Sequence, residues 1–218
     1  MTNSRAVTSN QDGLHPRLEE IVRRHRTHEN QAPVVDHARS GFESLSQIVE
    51  RAGRPLILDS GCGTGDSTRN LARAHPGHFV VGIDKSLNRL SKRRVEPNPE
   101  NLFLMRGDLM DLYPLIAGAG WDVDQHYILY PNPWPKAAHL QRRWHGSAIF
   151  PSLLSVGRTL HLRSNWRIYV EEFATALKVS GVFAEISPLK VTTSLSPFEA
   201  KYAASGHDLW QLRAELES

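Results

Sequence analysis

The stretch Leu56–Asp66, LILDSGCGTGD, constrains this 218-residue chain more than any other. Pro55 precedes three consecutive apolar residues, Leu56, Ile57 and Leu58. A short unbroken apolar run of this kind fits a strand buried on both faces, as in a parallel sheet. Asp59 stands at the carboxyl end of that strand, and Gly61, Gly63 and Gly65 follow at alternate positions. Glycines so spaced let the backbone turn tightly and approach a ligand with no Cβ in the way. Asp66, Ser67 and Thr68 then predict the cap of a helix running through Leu71 and Ala74. Strand, glycine turn and helix in that order place a ligand at the carboxyl edge of an α/β sheet.

Two further strands end the same way. His78–Asp84, HFVVGID, closes on a carboxylate nineteen positions after Gly65, and Leu102–Met105 leads into Gly107 and Asp108. The dinucleotide fingerprint spaces its glycines GxGxxG. This chain instead has GxGxG, with an acidic residue two positions before the first glycine. In that spacing it resembles S-adenosylmethionine (SAM)-dependent methyltransferases. The resemblance implies SAM as cofactor, held by Asp59, Gly61, Gly63, Gly65, Asp84 and Asp108. Asp84 would accept from the ribose hydroxyls, a charge-assisted pairing that neutral groups match poorly, and Asp108 would meet the adenine amino group. A nucleotide-free α/β domain whose glycines merely serve turns is the blander alternative. Three acidic strand ends in succession weigh against it.

Composition narrows the class without naming a substrate. The length suits one domain, and 40% hydrophobic with 22% charged residues is ordinary for a soluble globular chain. A net charge of +3 permits a polyanionic partner but does not require one. A single cysteine, Cys62, leaves neither an internal disulfide nor a zinc cluster to expect, and no metal is expected. No run approaches the eighteen apolar residues of a membrane helix, and the opening MTNSRAVTSNQDG has no apolar signal core. The expectation is a cytoplasmic protein without membrane association. Residues 1–13 are expected to be a disordered tail, and residues 14–218 a single domain with N-terminal helices. Those helices are a basic one over His15–Thr27 and one over Ala38–Ala52, with a second basic helix expected over Ser86–Arg94.

A fourth strand, Gln125–Tyr130, delivers the other informative stretch, YPNPWPKAAHLQRRW. Pro131 and Pro133 bracket Asn132 and stiffen an exposed loop. Trp134 adds a flat apolar face, while Lys136, His139, Arg142, Arg143 and His145 add cationic donors. A rigid amide beside an aromatic ring can hold a planar heterocycle, and the cations beyond it can meet phosphates. The alternative is a rigid loop whose tryptophan packs on the sheet.

The order of proline-bracketed residue, tryptophan, lysine, histidine and paired arginines resembles the bacterial tRNA (guanine-N7)-methyltransferase family. The similarity continues through Phe150–Val156, Arg158–Ser164, Ser164-Asn165-Trp166, Tyr169 and the segment Ser196-Pro197-Phe198-Glu199, spanning about Leu56 to Leu212. It implies a Rossmann-like α/β fold: a seven-stranded, mostly parallel sheet with helices on both faces. Gly181–Pro188 and Asp208–Leu212 would form its antiparallel hairpin. It also implies methyl transfer from SAM to N7 of a guanine in tRNA, with Asn132 nearest the reacting base. Lys136, Arg142, Arg143, Asn165, Ser196 and Glu199 would contact the RNA. Two positions depart from the family, which carries aspartate where this chain has Asn132 and Asn165. Asparagine keeps an acceptor oxygen but loses the charge that could oppose positive charge growing on the base. Two other readings therefore stay open: a methyltransferase of this fold with a different, small-molecule acceptor, and a non-catalytic RNA-binding relative. The expected state is a monomer or weak homodimer that binds no DNA.

Overall fold

A computed structural model describes residues 4–28, 33–92 and 96–216. Two N-terminal helices, α1 (Leu18–Thr27) and α2 (Asp36–Ala52), precede the sheet. Strands and helices then alternate: β1 (Leu56–Ser60), α3 (Asp66–Ala74), β2 (Phe79–Asp84), α4 (Leu87–Leu90), β3 (Leu102–Arg106) and α5 (Leu109–Ala117). They continue with β4 (Val123–Leu129), α6 (Phe150–Leu154), β5 (Thr159–Ser164), α7 (Arg167–Val179), β6 (Ala184–Pro188), α8 (Pro197–Ala204) and β7 (Trp210–Glu215). The sheet order is β3-β2-β1-β4-β5-β7-β6. β1 to β5 are mutually parallel, and β7 runs antiparallel to both β5 and β6. The expected architecture, including the antiparallel hairpin, is the observed one.

Strand alternation divides the core between the two faces of the sheet. Ile57 and Val80 pack with Leu71, Ala72, Tyr127 and Leu129 beneath α3. Leu56, Leu58, Val81, Ile83 and Ile128 point the other way, into the larger cluster shared with α1, α2, α5, α6 and α7. Burying each such side chain contributes about 1.5–3 kcal/mol. Gly82 on β2 is required by close packing, since a Cβ there would collide with the Thr68 side chain of α3.

Three local expectations differ. Gly65, at φ 75°, occupies the N-cap of α3 with no side-chain cap; Ser67 and Thr68 lie in the first turn and donate elsewhere. The helix expected over Ser86–Arg94 is a single turn, Leu87–Leu90, capped by Ser86; residues 93 and 94 lie outside the described residues. Residues 4–13, expected within a disordered tail, run along the domain. Ser9 Oγ donates to the Pro135 carbonyl, and Gln11 is buried, while residues 1–3 are outside the description.

His126 on β4 has no exposed surface, and its Nε2 lies 2.9 Å from Ser60 Oγ and 3.2 Å from the Tyr113 hydroxyl. Burial pushes its pKa down to about 3. The unfolded chain therefore takes up a proton between about pH 6.5 and 3 that the folded chain refuses. Its share of stability is complete above about pH 6.5 and is lost as the pH falls. Denaturant titrations at pH 7 and 5 will show wild type losing more stability on acidification than His126→Gln, with up to about 1.4 kcal/mol per pH unit separating them. Identical losses would show that another group carries the acid sensitivity.

Candidate active site

All five parallel strands end on one edge, and the loops that follow them carry the chemistry. The turn after β1 is stitched to the end of β2: Gly61 and Cys62 donate their amides to the Ile83 carbonyl at 2.8 and 3.1 Å. Gly61, Gly63 and Gly65 have φ of 76°, 60° and 75°, a region costly for residues with a Cβ.

Each acidic strand end has a distinct role. Asp59 is 1% exposed, and its Oδ2 accepts from Ser67 Oγ at 2.6 Å and Thr68 Oγ1 at 2.7 Å. Its Oδ1 is buried with no hydrogen-bond partner among the described residues. Burial raises the carboxyl to about 6, although the two hydroxyls pull it down. Asp84 is 2% exposed and ties the turn together: Oδ2 accepts from Gly63 N at 2.9 Å, while Oδ1 accepts from Ser86 N at 2.8 Å. The Arg89 guanidinium also lies 3.0 Å from Asp84 Oδ1. Asp108 is exposed and caps α5 by accepting from Met110 N at 3.0 Å.

Beyond β4 the chain forms the proline loop. Tyr130 and Trp134 both have positive φ, 51° and 43°. Backbone strain of that kind costs about 1–3 kcal/mol per residue and persists only where the surroundings impose it. Asn132 is exposed, and its Oδ1 accepts from Trp134 N at 3.3 Å, which leaves the two Nδ2 hydrogens and one Oδ1 lone pair of the amide for other partners. Lys136 is exposed, and Arg142 is exposed with its guanidinium 4.9 Å over the Trp134 ring.

The remaining residues assigned to RNA contact sit differently. Arg143 has no exposed surface and is ion-paired with the equally buried Glu172 of α7. Glu199 is buried too; it takes two hydrogen bonds from Arg163 Nη1, at 3.1 and 2.9 Å, and one from the Tyr130 hydroxyl at 2.9 Å. Ser196 caps α8, accepting from Glu199 N. Asn165 Nδ2 lies 3.2 Å from His207 Nδ1, and His207 Nε2 lies 2.9 Å from the Ser4 carbonyl. Arg143, Ser196 and Glu199 are thus committed to other protein groups, and the exposed face of the loop comprises Asn132, Lys136 and Arg142. A cavity of about 560 Å³ opens at the opposite, amino edge, lined by Arg51, Arg54, Phe79 and Glu100, away from these groups.

Sequence reasoning missed Glu172, Arg163, Tyr130, Arg89 and Gln11. Glu172 carried a usable signal: it falls on the stripe of Tyr169, Val170, Phe173 and Ala176 that α7 buries, where a charge requires a partner. Arg163 alternates with buried Leu162 and Ser164 on β5, a pattern that marks its face but not its partner.

Glu199→Gln keeps the volume but removes the charge facing Arg163. Urea denaturation should show a loss of about 1.5–3 kcal/mol, the range for hydrogen bonds to charged groups. An unchanged midpoint would free Glu199 from this structural role.

A family model described as "Putative methyltransferase" matches residues 53–212. The tRNA (guanine-N(7)-)-methyltransferase of Nitrosococcus oceani is 28% identical over 235 residues, covering 98% of this chain and 97% of that protein. The protein of the same name from Methylobacillus flagellatus is 28% identical over 179 residues, covering 77% and 74%. Among solved structures, the 16S rRNA (adenine(1408)-N(1))-methyltransferase of Catenulisporales acidiphilia, determined with cosubstrate SAM, superposes with a TM-score of 0.59. It is 17% identical, with 80% of this chain and 91% of that chain covered, a likeness of fold. With its matched segment running from just before β1 into β7, the chain belongs to this methyltransferase family.

Proposed function

We propose that the chain transfers the methyl group of SAM to N7 of a guanine in tRNA. The observation that carries the reading is that the glycine turn with its acidic strand ends and the stiff loop bearing Asn132 share one sheet edge. The names of the curated relatives support tRNA as substrate and guanine N7 as acceptor. The reading places the reaction in the cytoplasm, on a monomer or weak homodimer, and calls for no DNA.

The residues suit SAM. A Cβ at Gly61 would meet nothing within 4 Å, so the turn is open to close approach there. Asp59 supports the turn, its Oδ2 holding the Ser67 and Thr68 hydroxyls at the start of α3. Asp84 suits the ribose hydroxyls once Arg89 yields its place on Oδ1. Asp108 stands exposed for the adenine amino group. SAM supplies a methyl group on a cationic sulfur, so the acceptor needs only a lone pair.

Guanine N7 offers an in-plane lone pair and requires no deprotonation, so no general base is needed and alignment carries much of the rate. That removes one reason for a carboxylate at the proline loop. Asn132, with Oδ1 accepting from Trp134 N, has its two Nδ2 hydrogens to donate. A donor there suits guanine O6, an acceptor on the same edge as N7. Lys136 and Arg142 are exposed for phosphates, and Asn165 lies at the end of the neighbouring strand. The asparagines at 132 and 165, where the resembling family carries aspartate, fit recognition by hydrogen bonding without charge.

Tritiated methyl incorporation into unmodified tRNA transcripts tests the reaction. Wild type should label N7 of guanine, and Asn132→Ala should be slower by about 10²-fold, a loss typical of one preorganised group. No incorporation by wild type would move the acceptor elsewhere, and equal rates would remove Asn132 from the base.

Calorimetry tests the cofactor. Asp84→Ala should weaken SAM binding by about 1.5–3 kcal/mol, while Arg89→Ala, which clears the carboxylate, should tighten it. Weaker binding in both variants would make Arg89 a ligand contact instead of a competitor.

A further inference from the structure

Arg143 is the largest fully buried side chain of the fold, and its donors diverge toward three separate segments. Nη1 pairs with Glu172 of α7. Nε and Nη2 donate to the Trp134 carbonyl at 3.2 and 3.1 Å, and Nη2 reaches the Lys136 carbonyl at 3.4 Å. Nη2 also donates to Gln11 Oε1 at 3.1 Å. The guanidinium lies 4.9 Å over the Trp166 ring. A planar fork of five donors can serve acceptors in several directions at once, which a lysine ammonium cannot.

Two of those acceptors are main-chain carbonyls of the loop that presents Asn132. Trp134 links the two: its carbonyl is held by Arg143, and its amide donates to Asn132 Oδ1. The rotation of the peptides flanking Trp134, at φ 43°, therefore sets where the Asn132 amide points. The other side of Arg143 is fixed by the N-terminal arm. Gln11 Nε2 and His15 N donate to Glu172 Oε1, and His145 Nε2 lies 3.0 Å from Oε2. The arm also grips the loop directly, through Ser9 Oγ on the Pro135 carbonyl and Ala137 N on Asn10 Oδ1 at 3.0 Å.

We infer that Arg143, held by Glu172 and Gln11, is a positioning residue that sets the proline loop for methyl transfer, with residues 9–11 forming the back wall of the acceptor site. This rests on the reading of that loop as the acceptor site. It replaces the phosphate contact that the sequence suggested for Arg143.

Arg143→Lys is the decisive variant, because it keeps a cation opposite Glu172 and removes the fork. Its kcat on tRNA should fall by about 30-fold or more, since ångström misplacement is that costly. Its KM for tRNA should stay within about threefold, and SAM affinity by calorimetry should be unchanged. Hydrogen exchange should accelerate at the Trp134 and Ala137 amides but not at Ile57 or Val80 of the sheet. A raised KM with wild-type kcat would overturn the inference in favour of a phosphate contact. Unchanged kcat together with unchanged loop exchange would overturn it as well. If wild type methylates no tRNA, the functional reading falls, and the exchange pattern alone decides whether Arg143 sets the loop. Should Arg143→Lys fail to fold, Gln11→Ala gives the same two readouts from the arm's side, with acceleration expected and its absence overturning.

Discussion

Five parallel strands end on a single edge, and the backbone groups of the turns that follow them must find partners there. The chain meets that demand with its own carboxylates. Asp59 gathers the first-turn hydroxyls of α3, Asp84 gathers the amides of Gly63 and Ser86, and Asp108 gathers the amide of Met110. The acids that mark the edge as a ligand site are thus the ones that shape its turns.

What was legible in the sequence follows from this. β1 announced itself because a continuous apolar run followed by alternate glycines has few other solutions, and the proline loop because its prolines and tryptophan are hard to place elsewhere. The cap of α3 was misread for a physical reason: the turn sets Gly65, at positive φ, in the N-cap position, and Ser67 and Thr68 fall inside the first turn, where their hydroxyls donate to the buried Asp59 carboxylate. Arg143 and Glu199 were misread because a linear reading sends charges to solvent. Both are partnered across long sequence separations, with Glu172 and with Arg163. The packing of residues 4–13 was illegible for the same cause, since a polar segment orders only when distant partners, here Pro135, Arg143 and Glu172, are already assembled.

Asn132 and Asn165 differ in kind despite occupying corresponding strand-end positions. Asn132 is exposed and bonded to its own loop, through Trp134 N, whereas Asn165 is half-buried and meets His207, whose other nitrogen reaches Ser4. Asn165, His207 and Ser4 thus form one chain of polar contacts that ties the end of β5 to the segment after α8 and to the N-terminal arm.

The place of β7 bears on how the molecule comes into being. It lies between β5 and β6, pairing residues 159–164 on one side and 184–188 on the other. On the ribosome, β5 and β6 emerge earlier and have no direct ladder to each other. Half the hydrogen-bonding edge of β5 stays open until residues 210–215 have been synthesised. An open strand edge invites wrong pairing. The exposed Phe183, just before β6, adds apolar surface to that interval. The sheet therefore closes only after both neighbours of β7 have been synthesised, with the strand that joins them last of the three.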